Sequence, residues 1–580
     1  MENKIAAVLI KSLLERIERD QSIGVVSSLE REALLQALAA LGEPQISVSE
    51  VSTAAPVVSA PVEQAKQPVA EVKAQGPVAV AAEAAPTLPE VDLVLTANER
   101  SAPTDPDVML CLDFGTAMSK AFASVQPDEH LELELGVAAG RTGHALPSSV
   151  FVGDNGKAYF GFEAIDRSQE LIESGRERLD SIKGWLSLRR EGDLDGELCV
   201  LSKALNPTAF KLTQGDLIRI YLAYLTDMAG MAMASYSLEG KKIQRYALRR
   251  FARPCWPDQA QAKWADALMR TMLAEAQILA DTFSGRWAGG IDVAELKAAV
   301  EKLKRVGKMP DYLIADGVPE PVAVAAGAFE DMENLRDAFM VVDVGAGTTD
   351  FGLFVSTRRP GEEEVRVFQV PASIQGLMQA GDKVDGMLRV YIAQKESIDT
   401  ADNAGRMNMA ALGLQIRSLK ETLFKAGKLE YVLADGTVGQ VGLEEFLADE
   451  RVQRFGSLVE KGFVDSLRGV DASWLRWLSA PGVSLRVVLT GGSSQLPMMK
   501  AMAKGPIQIN GFEIRREEVS PRPQWMEDVS EELQAMYPQL AVAIGGSAEN
   551  MPEALTAPPV FGGGTTQSQY VAGRMQVTGA

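Results

Sequence analysis

Histidine is almost missing from this 580-residue chain, which holds only His130 and His144. A Ser–His–Asp triad or a histidine-based metal centre therefore has little to draw on. The three cysteines, Cys111, Cys199 and Cys255, form no Cys-x-x-Cys pair, so neither a disulfide framework nor a zinc site is expected. Buried thiols in a reducing cytoplasm fit better. No apolar run reaches the roughly 20 residues needed to span a membrane. Met1-Glu2-Asn3-Lys4 opens an amphipathic segment rather than the unbroken apolar core of a signal peptide. The formal charge of −20 argues against a protein that grips a phosphate backbone, so no nucleic-acid partner is expected. What remains, 46% apolar and 23% charged over a length that allows several domains, is the make-up of a soluble globular protein.

Against that background one stretch stands out. Phe339-Met340-Val341-Val342-Asp343-Val344 reads as an apolar strand and Phe351-Gly352-Leu353-Phe354 as a second one. Between them runs the tight turn Gly345-Ala346-Gly347-Thr348-Thr349-Asp350. Glycines 345 and 347 are expected to turn the backbone with φ > 0 and to leave room for a close ligand. Successive N–H groups in such a turn can form an anion nest. Asp343 and Asp350 at its rims would repel an anion unless a cation intervened, which suggests a Mg²⁺-nucleotide; the plainer alternative is an ordinary Gly-rich hairpin. The pattern recurs at Val108–Ala123, where Asp113-Phe114-Gly115-Thr116-Ala117 joins two apolar strands and Lys120 follows. A third element runs from the apolar strand Leu485–Leu489 through Thr490-Gly491-Gly492-Ser493-Ser494-Gln495 to a helix starting near Pro497.

In this order and spacing the three stretches resemble the two phosphate motifs and the adenosine motif of the actin-like ATPase superfamily. Within it the likeness is strongest to the nucleotide-binding domain of the 70-kDa heat-shock (DnaK-like) chaperones. Arg253-Pro254-Cys255-Trp256-Pro257, Pro319-Glu320-Pro321-Val322-Ala323, Gly381-Asp382-Lys383-Val384-Asp385 and Leu540–Gly546 are similar to further motifs of that family. The resemblance covers about residues 107–550 and implies two α/β lobes with ribonuclease-H-like repeats around a cleft for ATP or ADP with Mg²⁺.

By that resemblance Asp113 and Asp343 would hold Mg²⁺, mostly through water, and Gly115–Ala117 and Gly345–Thr348 would clamp phosphates through their N–H groups, with Thr349 adding a hydroxyl. Lys183, in Leu179–Leu186, would neutralise the γ-phosphate, with Glu320 near the attacking water and Asp350 as an outer acid. Gly491, Gly492, Ser493 and Gln495 would form the adenosine loop, and Glu421 and Lys425 of the Ile416–Lys425 helix would touch ribose and adenine. Lys120 resembles actin's first phosphate loop, where a lysine reaches the β-phosphate. Gln495 stands where the chaperones carry an arginine that stacks on adenine.

Around this unit, Ile5, Leu9, Leu13 and Ile17, then Leu34, Leu38 and Leu41 behind a Ser27–Glu30 capping box, predict a helical hairpin over 1–42. It is expected to meet a protein partner, a copy of itself or the main domain. Residues 43–106, rich in Pro, Ala and Val, read as a mobile tether, with the aliphatic island Pro89–Leu95 resembling the chaperones' docking linker. Thr282–Tyr312 reads as an insertion with a helix near Val293–Val306, a second candidate partner site, and residues 551–580 as a disordered tail. With so short a tail the family's peptide-binding domain is expected to be absent. The leading expectation is a stand-alone DnaK-like ATPase switch; an ATP-dependent assembly protein and a small-molecule kinase of the same fold are the alternatives.

Overall fold

A computed structural model describes residues 86–555, apart from 127–128, 172–175, 189–193, 257, 329–335, 359–364 and 521. The helical hairpin expected over 1–42, the tether as far as residue 85 and the tail from 556 lie outside the described residues.

The described chain is mixed α/β, and its two largest sheets share one arrangement of four strands. In the first, β1 (Val108–Asp113) turns back into antiparallel β2 (Met118–Val125). After α1 (Gln214–Met233), β3 (Leu248–Arg253) lies parallel to β1. Beyond α2 (Gln259–Phe283) and α3 (Val293–Leu303), β4 (Ile314–Pro319) lies parallel to β3 and leads into α4 (Glu320–Ala328). The second sheet repeats this plan. Its hairpin is β5 (Arg336–Val344) with antiparallel β6 (Thr349–Arg358), followed by α5 (Gly381–Lys395) and α6 (Asn403–Ala426). Parallel strands β7 (Leu485–Thr490) and β8 (Phe512–Val519) follow, and α7 (Glu531–Ser547) closes the series as α4 closes the first.

The sequence explains the central strands. Leu485, Val487, Val488 and Leu489 are all buried, as expected of a parallel strand covered on both faces. On the first sheet α1 is buried along nearly its whole length and starts with a reciprocal Thr213–Asp216 capping box. Its buried Arg219 is matched by Glu275 at 2.6 Å and Asp195 at 2.9 Å, which keeps the guanidinium charged inside the core.

Helices α4 and α7 pack against each other in one apolar cluster with residues of both sheets. It joins Val322, Ala323 and Ala325 of α4 to Leu540, Ala541 and Ile544 of α7, with Phe122 and Phe339 from the hairpin strands. A Cβ on Gly545 would sit 1.7 Å from the Ala323 carbonyl oxygen, and one on Gly327 would sit 2.9 Å from the Gly545 Cα. The helices therefore touch backbone to backbone.

The described end of the expected tether, residues 86–106, is folded onto the domain. Residues 86–106 are ordered against the first sheet's helices: Val91 and Leu93 pack on its core and Ala97 is fully buried in a short 3₁₀ turn, Thr96–Glu99. A window of Pro, Ala and Val has little to bury by itself, but here the burial partners lie some two hundred residues further along the chain. At the other end Glu553–Ala554 pairs with the strand Val365–Gln369, so order extends past residue 550. The insertion carries its expected helix as α3. No helix among the described residues is long and apolar enough to cross a membrane.

Because the α4–α7 contact has no room for a methyl group, Gly545→Ala should cost about 3 kcal/mol of stability. Urea unfolding of the variant against wild type, read as a lower midpoint at unchanged slope, checks this.

Candidate functional site

The two hairpins meet in a cleft at the ends of β1 and β5. It is lined by Asp113, Gly115, Thr116, Ala117 and Lys120 from the first hairpin and Asp343, Gly345, Ala346, Gly347 and Thr348 from the second. Lys183 and Glu320 stand beside them, and Gly491, Gly492 and Ser493 close one end. The loops face each other closely, since a Cβ on Gly347 would come within 2.6 Å of the Thr116 hydroxyl.

The glycines serve a different purpose from the one expected. Of these loop glycines only Gly491 takes a positive φ, at 86°. Gly115 is needed because a Cβ there would lie 2.0 Å from the Met118 carbonyl oxygen. Nor are all the loop N–H groups free for an anion: Gly115 N–H donates to Asp113 O and Gly345 N–H to Thr348 O, closing the turns. The second loop is braced from outside, where Gly381 N–H and Asp382 N–H donate to the carbonyls of Gly345 and Ala346.

Strand register sets the electrostatics. Asp113 is the cross-strand partner of Lys120, and Asp343 that of Asp350. Equivalent places in two like hairpins thus hold an acid–base pair in one and an acid–acid pair in the other. Lys120 Nζ donates to Asp113 Oδ2 at 2.9 Å. Lys183 Nζ donates to Glu320 Oε1 at 2.7 Å, both side chains being buried. Burial alone would lower the Lys183 pKa, but Glu320, then Asp113, raise it above the ordinary lysine value. Asp343 accepts from Thr490 Oγ1 at 2.8 Å; burial, then Glu320, still pushes its carboxyl up to about 7. Asp350 is pushed up by burial and by Glu320, although Cys255 N–H donates to its Oδ1 at 2.6 Å. Burial and the neighbouring Asp350 likewise raise the Cys255 thiol, keeping it protonated.

Most of the residues expected at the site converge, and four do not. Asp350 lies behind the loop rather than in the cleft, in keeping with an outer role. Thr349 points away: it is fully buried and its hydroxyl donates to Gln379 O. Gln495 is exposed beyond Ser493 and does not line the cleft. Lys425 is exposed too, one helical turn (roughly 6 Å) past Glu421, which does reach the wall. The sequence reading missed Arg417 and Lys420 of α6 and Gln539 and Val542 of α7, which line the same end. Positions 417, 420 and 421 share one helix face, a periodicity that could have pointed to them. Arg417 Nη1 donates to Ala117 O at 3.4 Å and Lys420 pairs with Asp385 at 2.8 Å, tying α6 to the first loop and to α5.

The donor set tests for a cation. Asp113 and Glu320 each pair with a lysine, whereas the buried Asp343 and Asp350 form no ion pair with a described residue, and a divalent ion beside them would offset their charge. Among the described residues no three His, Cys, Asp or Glu side chains form a metal cage. An ion here would be held largely by water and ligand oxygens, the usual habit of Mg²⁺. No protein-family model matches this chain, and no curated protein matches it either.

The raised Asp343 pKa fixes the sign of a pH effect on the ligand-free, metal-free chain. A carboxyl that binds its proton more tightly folded than unfolded adds stability below its unfolded pKa of 3.8, and that contribution is lost as pH climbs toward 7. Wild type should therefore lose stability between about pH 4 and 7, and Asp343→Asn should flatten that slope and be more stable at pH 8, by on the order of 2 kcal/mol. Denaturant midpoints across pH, in chelator, measure both.

Proposed function

We propose that this chain is a Mg²⁺-dependent ATPase of the actin-like, two-lobed kind, a DnaK-like switch that hydrolyses ATP to ADP and phosphate. The observation that carries the reading is the pair of like hairpins facing each other across a cleft, each with an aspartate at its strand end, beside a buried Lys183–Glu320 pair. Little else is required, because phosphoryl transfer to water rests on positioning and charge neutralisation.

In this reading the two loops take the β- and γ-phosphates from opposite sides, and the helix face of Arg417, Lys420 and Glu421 takes the nucleoside with Gly491–Ser493 and Gln539. Bound Mg²⁺ would neutralise phosphate charge, with Asp113 and Asp343 orienting its water shell. Lys183, held cationic by Glu320, moves toward the charge that grows on the transferred group. Glu320 or Asp343 orients the attacking water, and Asp350, behind the loop, fixes the Cys255 turn. The buried thiols suit a reducing cytoplasm.

An assembly protein is the second reading, and Lys120 favours it, because it stands just after the first loop where the actin-like motif carries a lysine for the β-phosphate, its ammonium here donating to Asp113. Lysine at that point also suits a switch whose two lysines share the phosphate charge.

ATP turnover by wild type should be slow, Mg²⁺-dependent and free of large assemblies. Lys183→Ala should lower kcat by about 10²-fold to 10³-fold with a smaller change in KM, as for loss of a group that acts on transition-state charge. Asp343→Ala should abolish turnover, while Lys425→Ala should leave it within about twofold, as expected of a surface change. ATP-dependent pelleting would move the assignment to the assembly reading, and no nucleotide binding at all would overturn both.

A further inference from the structure

Away from the cleft, a second cavity of about 640 Å³ opens beside α1, a volume in the range of small-molecule sites. Its other walls are the short helix Leu135–Ala138 with the turn to Arg141, the helix Gly161–Glu170, and Trp287–Gly289 of the insertion. It shares no lining residue with the cleft.

The floor is aromatic and fixed. Phe160, Tyr224 and Trp287 are buried and pack on one another, with ring centroids 5.2, 5.5 and 5.6 Å apart. Trp287 Nε1 donates to the buried Asp227 Oδ2 at 3.0 Å, and Asp227 Oδ1 accepts from Arg245 at 2.6 Å and Ser284 at 3.0 Å. The indole N–H is therefore spent behind the floor, and the ring is held in place.

One polar atom of this floor has nothing to bind. Tyr224 is 4% exposed, yet its hydroxyl makes no hydrogen bond with a described residue. Gly161 makes room for it, since a Cβ there would lie 2.7 Å from the hydroxyl oxygen. Burial, then Tyr221 and Glu163, hold the phenol well above its ordinary pKa, so it stays neutral and can both donate and accept. A buried hydroxyl without a partner is costly, and phenylalanine would fill the same space without that cost.

The rim supplies charge. Arg141 pairs with Asp166, and Arg167 with Glu170 at 3.1 Å, so these four groups offset one another. Glu163 is left over. Its carboxylate accepts from Gly289 N–H at 3.0 Å and forms no ion pair with a described residue. A spare carboxylate and a spare hydroxyl beside a rigid ring face are what a cation on an apolar body needs. Its N–H groups would donate to both oxygens while the body lies on the rings.

We propose that this cavity binds a small organic cation, a primary amine or guanidine with an aromatic or aliphatic body, seated between Glu163 and Tyr224 on the Phe160–Trp287 face. The site stands apart from the reading of the cleft and does not depend on it.

Ligand-observed NMR titration of the full chain with phenethylamine tests the site, with phenethyl alcohol and phenylacetate as its neutral and anionic counterparts and benzylguanidine as a second cation. Each cation should bind at least about tenfold more tightly than the alcohol or the acetate. Glu163→Gln should weaken phenethylamine by about tenfold and Tyr224→Phe by about threefold, with the alcohol changed less than about twofold by Glu163→Gln. The urea midpoint of the free chain should be unchanged or higher in Tyr224→Phe; a lower one would assign the hydroxyl to the fold and overturn its part in binding. Cations that fail to bind at about 10 mM, that bind no better than the alcohol, or that ignore both substitutions overturn the site. An acetylated arginine amide that binds where both free cations fail overturns the small-molecule source in favour of a partner's side chain.

Discussion

Two helices crossing at backbone contact fix the geometry of everything in the cleft. With glycine at 327 and 545, α4 and α7 approach until a carbonyl of one nearly touches a Cα of the other. Each helix is the last element of its own sheet's series, and α4 begins with Glu320 while α7 carries Gln539 and Val542 to the cleft wall. The spacing between the hairpins is thus set from behind, by a contact that has no side chain to bend. A rigid contact of this kind lets the opposed loops approach until a Cβ on Gly347 would lie 2.6 Å from the Thr116 hydroxyl.

The second constraint is charge. Burying four carboxylates at one place is costly unless cations or protons compensate them. Two lysines do part of this, each against one acid, and protons do the rest where no metal is bound, which is why Asp343 and Asp350 both hold their protons above the usual range. A site that buries so many acids gives up stability, because each ionised carboxylate there has lost its water. The same logic accounts for Cys255: its N–H steadies Asp350, and its own thiol is kept neutral by that neighbour.

The parts of this molecule legible in the sequence were those set by short-range pattern. Strand–turn–strand units with Asp at the strand end, the apolar run into Gly491-Gly492, and the Pro319-Glu320-Pro321 helix start all lie where their local residues put them. Three kinds of feature did not show. Why a glycine is needed depends on what faces it, so Gly115 and Gly347 were read as turn-formers when a carbonyl and a threonine across the cleft are the reason. Which residues on a helix reach a site depends on where the helix ends relative to it, so α6 offered Glu421 and Lys425 equally, and only the fold keeps Glu421, drops Lys425 and adds Arg417 and Lys420. Order in a low-complexity segment depends on distant partners, so 86–106 was read as a tether although Lys302, Lys308 and Tyr312 bind it down.

The likeness of the two sheets makes their one difference in the hairpins informative. Four strands of each sheet, β4–β3–β1–β2 and β8–β7–β5–β6, agree in order and direction, and the cross-strand partner of each strand-end aspartate falls at the same place. In the first hairpin that partner is Lys120 and in the second it is Asp350. A symmetric pair of acid–acid hairpins would hold a cation equally on either side; a symmetric pair of acid–base hairpins would hold none. With one of each, Asp113 has a cationic partner across its ladder and Asp343 has an acidic one. The asymmetry gives the cleft a direction, and it comes from a single residue choice at one rung of one ladder.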